Sequence, residues 1–273
     1  MITLRPVKAF RFPVTAECIT PDVFYAKTPD EIRSFLVWEG NKQRRLDELF
    51  EIECEGYDSR EKTVIAIHGD VSRVARIGCG MSAGDILIVG DVGSHLGEGM
   101  KGGTIKVRGN VGGWAGSSMK GGSIEIEGDA GDYLAAPYRG SSEGMRGGRI
   151  VIHGNVGNEV GAHMKRGLIK ICENAAQFVG FRMRDGTVYV QKDCEGRAGA
   201  CMTGGKIIIG QHVESMLPTF TMEGIREKVK VEETEAVDGP FYVFQGDSAE
   251  NGEGKLYVSK NRNLDLSCYE RFL

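Results

Sequence analysis

The chain has 273 residues, a formal net charge of −4, 40 glycines, 7 prolines, 7 cysteines and 8% aromatic residues. No stretch approaches the roughly 18 apolar residues of a membrane span, the opening Met1-Ile2-Thr3-Leu4-Arg5-Pro6 lacks the apolar core of a signal peptide, and the mild acidity argues against nucleic acid as the main partner. The cysteines (Cys18, Cys54, Cys79, Cys172, Cys194, Cys201, Cys268) are odd in number with no CxxC spacing, which fits reduced thiols and a cytoplasmic location.

In chain order, residues 1–60 read as an N-terminal capping or docking segment. A short helix is predicted there, with Thr28 as N-cap, Pro29 at the first helical position and Glu31 as the capping-box acid ahead of Ile32, Phe35 and Leu36. A strand follows over residues 49–54, alternating apolar and acidic. Residues 64–71 form a degenerate first repeat. Methionine then recurs at 81, 100, 119, 145, 164, 183 and 202, at intervals of 19, 19, 26, 19, 19 and 19. The odd interval is one period plus seven residues, assigned to residues 133–139. A fixed period of this size means one supersecondary unit stacked on copies of itself.

The columns of the repeat have physical readings. Five and seven places after each Met stand Ile86/Ile88, Ile105/Val107, Ile124/Ile126, Ile150/Ile152, Ile169/Ile171, Val188/Val190 and Ile207/Ile209, alternating with polar residues as in a strand with one buried face. Three places after each Met stands glycine (Gly84, Gly103, Gly122, Gly148, Gly167, Gly186, Gly205), expected at structural corners where φ is positive or a neighbouring backbone leaves no room for a Cβ. Nineteen residues are too few for a strand, a helix and two loops, so the expected fold is all-β, a parallel β-helix solenoid over residues 61–210. Residues 211–273 lose the period and read as a C-terminal capping or docking segment, with a charged stretch at 223–235 read as a candidate helix.

The sequence offers few groups for chemistry. His68 and His153 share a variable outward column, Cys194 lies in a column of small apolar residues, and no spacing converges three or four zinc ligands. The Gly-rich run 109–116 does not feed a helix, as a phosphate loop would. The Gly-Asp and Gly-Asn pairs are read as turn chemistry, in which the side chain bonds its own backbone, and the Met column as core. No catalytic, cofactor or metal residue is therefore assigned to this chain. Lys101, Lys120, Arg146, Lys165 and Arg184 follow the Met in successive repeats and form a candidate anion or partner edge. Tyr133, Tyr138 and Arg139 mark a candidate partner loop, expected to bulge outward, because their residue types are enriched at interface hot spots.

The spacing Gly90-x-x-Gly93-x-x-x-Gly97, repeated at Gly109/Gly112/Gly116 and Gly154/Gly157/Gly161, resembles the GxxGxxxG repeat of the C-terminal domain of the glutamate synthase large subunit, a right-handed parallel β-helix. The flanks Pro21-Asp22-Val23-Phe24, Glu31-Ile32, Phe50-Glu51-Ile52, Phe244-Gln245-Gly246-Asp247 and Gly252 to Val258 resemble the family of formylmethanofuran dehydrogenase C subunits. Later repeats depart from the glycine pattern, with Glu173 and Lys192 at the first Gly and Ala176 and Glu195 at the second.

That resemblance implies a scaffold subunit of a complex that reduces carbon dioxide and forms formylmethanofuran in methanogenesis. It implies no cofactor in this chain, with a tungsten or molybdenum pterin, iron-sulfur clusters and a binuclear metal site in partner subunits. The partners implied are a redox subunit, an amidohydrolase-like subunit and a small D-type subunit, with no nucleic acid and no membrane. The C subunit of a bacterial formyltransferase/hydrolase complex and a stand-alone glutamate synthase-type domain stay open as alternatives. A carbohydrate-active enzyme is disfavoured, because few aromatics and no repeated acid cluster line one face.

Overall fold

A computed structural model describes residues 1–56 and 59–273. Strands β1 (Ile2–Pro6), β2 (Val14–Thr15), β3 (Leu36–Glu39), β4 (Lys42–Arg45) and β5 (Phe50–Cys54) alternate with helices α1 (Pro21–Phe24), α2 (Pro29–Arg33) and α3 (Leu46–Leu49). The repeats then contribute β6 (Val64–His68), β7 (Val74–Ala75), β8 (Asp85–Val89), β9 (Thr104–Arg108), β10 (Ser123–Ile126), β11 (Arg149–Ile152), β12 (Leu168–Ile171), β13 (Thr187–Val190) and β14 (Lys206–Ile209). Three strands close the chain, β15 (Thr221–Lys230), β16 (Ala236–Gly246) and β17 (Gly254–Ser259). The fold is all-β in its main part. Thirteen strands form one sheet in the order β15-β16-β17-β14-β13-β12-β11-β10-β9-β8-β6-β1-β5, and β4-β3-β2-β7 form a second.

From β6 to β14 every pairing in the large sheet is parallel and, on the inward face, sets like on like. Ile86 lies beside Ile105, Ile124 beside Ile150, Val188 beside Ile207. The β-branched column is buried because each side chain rests on the same side chain of the next repeat. The Met column is fully buried as well. A second parallel ladder runs through Val71, Val92, Val111, Ala130, Val156, Ala175, Cys194 and Val213, so Cys194 is a packing residue.

The glycines three places after each Met have φ from 77° at Gly84 to 108° at Gly167. At Gly103 a Cβ would also come within 2.5 Å of the Gly84 carbonyl oxygen and the Met81 methyl. Both physical reasons for glycine therefore act at one position.

The capping box at α2 forms as the sequence predicts, with Glu31 N–H donating to Thr28 Oγ1 and Thr28 N–H to the Glu31 carboxylate. The helix stops at Arg33, and Leu36 already belongs to β3. Helix α1 carries the same Thr-Pro start, with Thr20 accepting from Val23 N–H.

The helix expected over residues 223–235 is overturned. Residues 221–230 are β15, paired antiparallel with β16, and Met222 and Val229 are buried. The Glu, Arg and Lys that favour a helix locally are outweighed by pairing with the apolar strand Phe241-Tyr242-Val243-Phe244.

The flanks enter the same sheet as the repeats: β1 pairs parallel with β6, and β17 parallel with β14. They also supply hydrogen-bond acceptors where the periodic ones run out. In regular repeats the N–H after each Met donates to the Met carbonyl of the preceding repeat, as Lys101 does to Met81 at 2.7 Å. Ser82 N–H has no such carbonyl and donates to the Asp22 carboxylate at 2.7 Å. At the other end Cys201 N–H donates to Asp247 and Val213 N–H to the buried Asn263 side chain, each at 2.9 Å. Three flank side chains thus replace backbone partners for these donors.

Candidate functional site

The Asp and Asn of the Gly-Asp and Gly-Asn pairs act across repeats. Asp91 Oδ1 accepts the Asn110 N–H at 2.7 Å, Asn110 Oδ1 the Asp129 N–H at 2.9 Å and Asp129 Oδ1 the Asn155 N–H at 2.6 Å, and the chain of bonds continues through Asn174 and Asp193 to His212. The expected bond to the residue's own backbone occurs at Asp70, whose Oδ1 accepts from Ser72 N–H at 2.8 Å. Elsewhere the stacked neighbour offers the better-placed donor, so the expectation is corrected. Either residue serves because the acceptor oxygen is common to both.

Among the described residues no group of three or more His, Cys, Asp or Glu is placed to hold a metal ion. Burial pushes the Cys18 and Cys194 thiols up to about 12 and raises those of Cys54, Cys79 and Cys172, so all five rest as neutral thiols.

The five basic residues stack through the backbone ladder: Lys101, Lys120 and Arg146 N–H donate to Met81, Met100 and Met119 carbonyls at 2.7 Å, and Lys165 and Arg184 to Met145 and Met164 at 2.8 Å. Lys101, Lys120, Arg146 and Arg184 side chains are exposed. Glu143 intervenes in the middle, paired with Arg146 and, at 3.0 Å, with Lys165. Desolvation, then the charges of Arg146 and Arg184, holds Lys165 below the usual lysine range.

The insertion lies later than the sequence suggests. Met145 N–H donates to Ala135 O just as Met119 N–H donates to Gly116 O, so the extra seven residues fall between these two points, within 137–143. Leu134, Ala135 and Ala136 are buried within the repeat, and Tyr133 occupies the column of Trp114. The expected outward bulge is therefore corrected for residues 133–136. Tyr138 instead folds back over earlier repeats, its hydroxyl donating to Glu98 at 3.0 Å and accepting from Arg76.

Sequence reading missed the column fourteen places after each of the first six Met: His95, Trp114, Tyr133, Glu159, Phe178 and Arg197, with φ between 58° and 67°. Left-handed backbone at these residues and at two later positions of the turn aims successive N–H groups along the stack, alternately forward and back. His95 donates to Gly113 O, Gly97 to Ile77 O and Gly99 to Ser117 O. The side chains emerge on one edge. Trp114 stacks on Tyr133 at 4.4 Å and on His95 at 5.4 Å, and His95 stacks on Tyr138 at 5.2 Å. Burial, outweighing the Glu98 carboxylate, holds His95 below the usual histidine range. The signal was available in the period, since four aromatic-type rings recur at one offset, but a bulky residue in the left-handed region is not what local preference suggests.

One relative matches the chain almost from end to end. The C subunit of a tungsten-containing formylmethanofuran dehydrogenase 2 from Methanococcus maripaludis is 44% identical over 260 residues, covering 93% of this chain and 94% of the relative. The chain belongs to the family of formylmethanofuran dehydrogenase C subunits. Within that family, the C subunit of a molybdenum-containing dehydrogenase 1 from Methanothermobacter marburgensis is 50% identical over 93 residues. That match takes in 34% of this chain and 22% of the relative's length. Its counterpart from Methanosarcina barkeri is 43% identical over 95 residues, 35% of this chain and 32% of the relative. A chain from the formyltransferase/hydrolase complex (FhcABCD) of Methylorubrum extorquens, crystallised with methylofuran, superposes with a TM-score of 0.84 at 30% identity, covering 94% of this chain and 99% of that one. No protein-family model matches the chain. No helix of the described residues is long and apolar enough to cross a membrane.

Proposed function

We propose that this chain is a non-catalytic scaffold subunit of a formylmethanofuran dehydrogenase complex, which reduces carbon dioxide and forms formylmethanofuran in methanogenesis. The observation that carries this reading is the end-to-end identity with the C subunit of a dehydrogenase, flanks included. On this reading the repeats are a right-handed parallel β-helix, supported by the two parallel ladders, and residues 1–60 and 211–273 cap its ends, supported by the acceptors from Asp22, Asp247 and Asn263. A stiff, repetitive core suits a part that holds a redox subunit, an amidohydrolase-like subunit and a small D-type subunit in fixed relation. The tungsten or molybdenum pterin, iron-sulfur clusters and binuclear metal then belong to those partners, and the complex is cytoplasmic.

The structural likeness at a TM-score of 0.84 favours a second reading, the C subunit of a formyltransferase/hydrolase complex. Purification of the tagged chain from its native host separates the two. Carbon dioxide reductase activity in the assembly supports the first reading, and formyl transfer and hydrolysis without it supports the second. Either activity in the isolated chain overturns the scaffold role.

The basic edge of Lys101, Lys120, Arg146, Lys165 and Arg184 is assigned to an anionic coenzyme tail or an acidic partner face. Replacing Lys101, Lys120 and Lys165 together by Gln weakens coenzyme affinity at low salt and little at high salt if the tail binds there. An unchanged Michaelis constant at low salt, with the complex intact, removes the tail from this edge.

A further inference from the structure

Three arginines on the edge that carries the left-handed column are laid against aromatic rings. The guanidinium of Arg139 sits 5.8 Å from the Tyr133 ring centre, that of Arg182 5.3 Å from Phe181 and that of Arg197 5.1 Å from Phe178. Arg139 also donates to the Tyr133 hydroxyl at 3.1 Å, and Arg197 to Gln177 Oε1 at 2.9 Å. None of the three is ion-paired to a carboxylate among the described residues, and all three are exposed. The rings form two clusters along that edge: Phe178 and Phe181 meet edge to face at 6.0 Å, Tyr133 continues into the stack of Trp114 and His95, and Glu159 stands in the column between them. Between Arg139 and Arg182 the strip opens into a pocket of about 360 Å³ walled by Tyr133, Pro137, Tyr138 and Phe181, with Glu159 as its acidic member.

A guanidinium placed over a ring loses little freedom on binding, and the N–H groups that Arg139 and Arg197 do not already spend on Tyr133 and Gln177 can still take a carboxylate. Arg182 and Arg197 lie on successive repeats at different offsets, and Arg139 of the insertion shares a pocket with Arg182, so the three forks lie along one edge, an arrangement that an extended chain matches. The strip is cationic on a chain whose net charge is −4, so charge complementarity selects an acidic occupant. Within a lining that is polar overall, the rings of Tyr133, Tyr138 and Phe181 and the ring of Pro137 give a side chain between the carboxylates something to pack against.

We propose that this strip docks an extended acidic segment of a partner subunit, its carboxylates engaging Arg139, Arg182 and Arg197 and an apolar side chain entering the pocket between Tyr133 and Phe181. This rests on the reading of the chain as part of a multi-subunit complex. It differs from the basic edge in offering aromatic-backed forks and a pocket, features that a bare anionic tail does not use.

The test uses the native assembly. A photoreactive benzoylphenylalanine in place of Tyr138 is cross-linked in the purified complex, and the attached peptide is sequenced. A partner segment carrying several Asp or Glu is the expected product. In parallel, R139Q/R182Q/R197Q leaves the fold intact by circular dichroism, and its partner dissociates about ten-fold faster near 0.1 M salt, with a smaller difference near 1 M. Cross-links to a neutral or basic segment, to coenzyme, or to nothing overturn the acidic docking while leaving the subunit reading in place, as does unaltered dissociation of the triple variant. A chain that purifies without any partner overturns both.

Discussion

Gly103 and Gly99 separate two costs that a glycine can avoid. Both have positive φ, 81° and 63°, but a Cβ at Gly103 would strike the Gly84 carbonyl oxygen and the Met81 methyl, whereas nothing lies within 4 Å at Gly99. Gly103→Ala is expected to destabilise by about 2–4 kcal/mol, from the left-handed backbone plus overpacking, and Gly99→Ala by about 1 kcal/mol from the backbone alone. Urea unfolding of the two variants measures this, and equal losses would show that crowding plays no part. Ile126, the last residue of β10, and Glu127 beside it test the inward and outward sides of the repeat in the same way. Ile126 is fully buried, while the Glu127 side chain is 60% exposed beside Arg108. Ile126→Asp strands a carboxylate between stacked repeats and is expected to lose about 4 kcal/mol or more, while Glu127→Asp stays within about 0.5 kcal/mol. A shared thermal midpoint would mean that the faces are exchanged.

At the scale of elements, α1 is fastened to the repeats by one carboxylate. Burial pushes Asp22 up, but the Ser82 hydroxyl and N–H and the charge of Arg60 at 3.6 Å outweigh it and leave its pKa below the ordinary aspartate value. Because the folded value lies below the unfolded one of about 3.9, the stabilisation is complete above that pH and is lost as pH falls through the folded value. Asp22→Asn should therefore be less stable than the parent at pH 7, by about 1–2 kcal/mol for hydrogen bonds to a charged group, and the gap should narrow below about pH 4. Denaturation midpoints across pH 2–7 read the gap directly; a difference that widened with acid would contradict the assignment of Asp22 as the acceptor that replaces a preceding Met carbonyl.

For the molecule as a whole, the two flanks and the repeats form one sheet, so the chain ends are where its cohesion is most exposed. Removing residues 211–273 would strip β17 from β14 and uncover the row of Lys206 to Ile209 backbone groups along with the side of the core that Phe244, Leu256 and Val258 now cover. An open, flat strand of this kind recruits other chains. The truncated protein is expected to elute as concentration-dependent oligomers by light scattering, where the full chain is uniform. A monomeric truncated form with unchanged stability would show that β17 contributes nothing to closing the stack.

The repeat, its buried Ile and Val columns, the Met core and the capping box at Thr28 were legible in the sequence because each is a local pattern: a period, an alternation, a spacing of three. The destination of the Asp and Asn side chains, the strand nature of residues 221–230 and the true position of the insertion were not. Each depends on which donor, strand or carbonyl another segment presents once the chain is folded, a relation that the local pattern around the residue does not carry. The aromatic edge lies between the two cases. Its residues share one offset in the period, but their common face exists only because the backbone there turns left-handed to satisfy hydrogen bonds along the stack, and that demand arises only once the repeats are packed together.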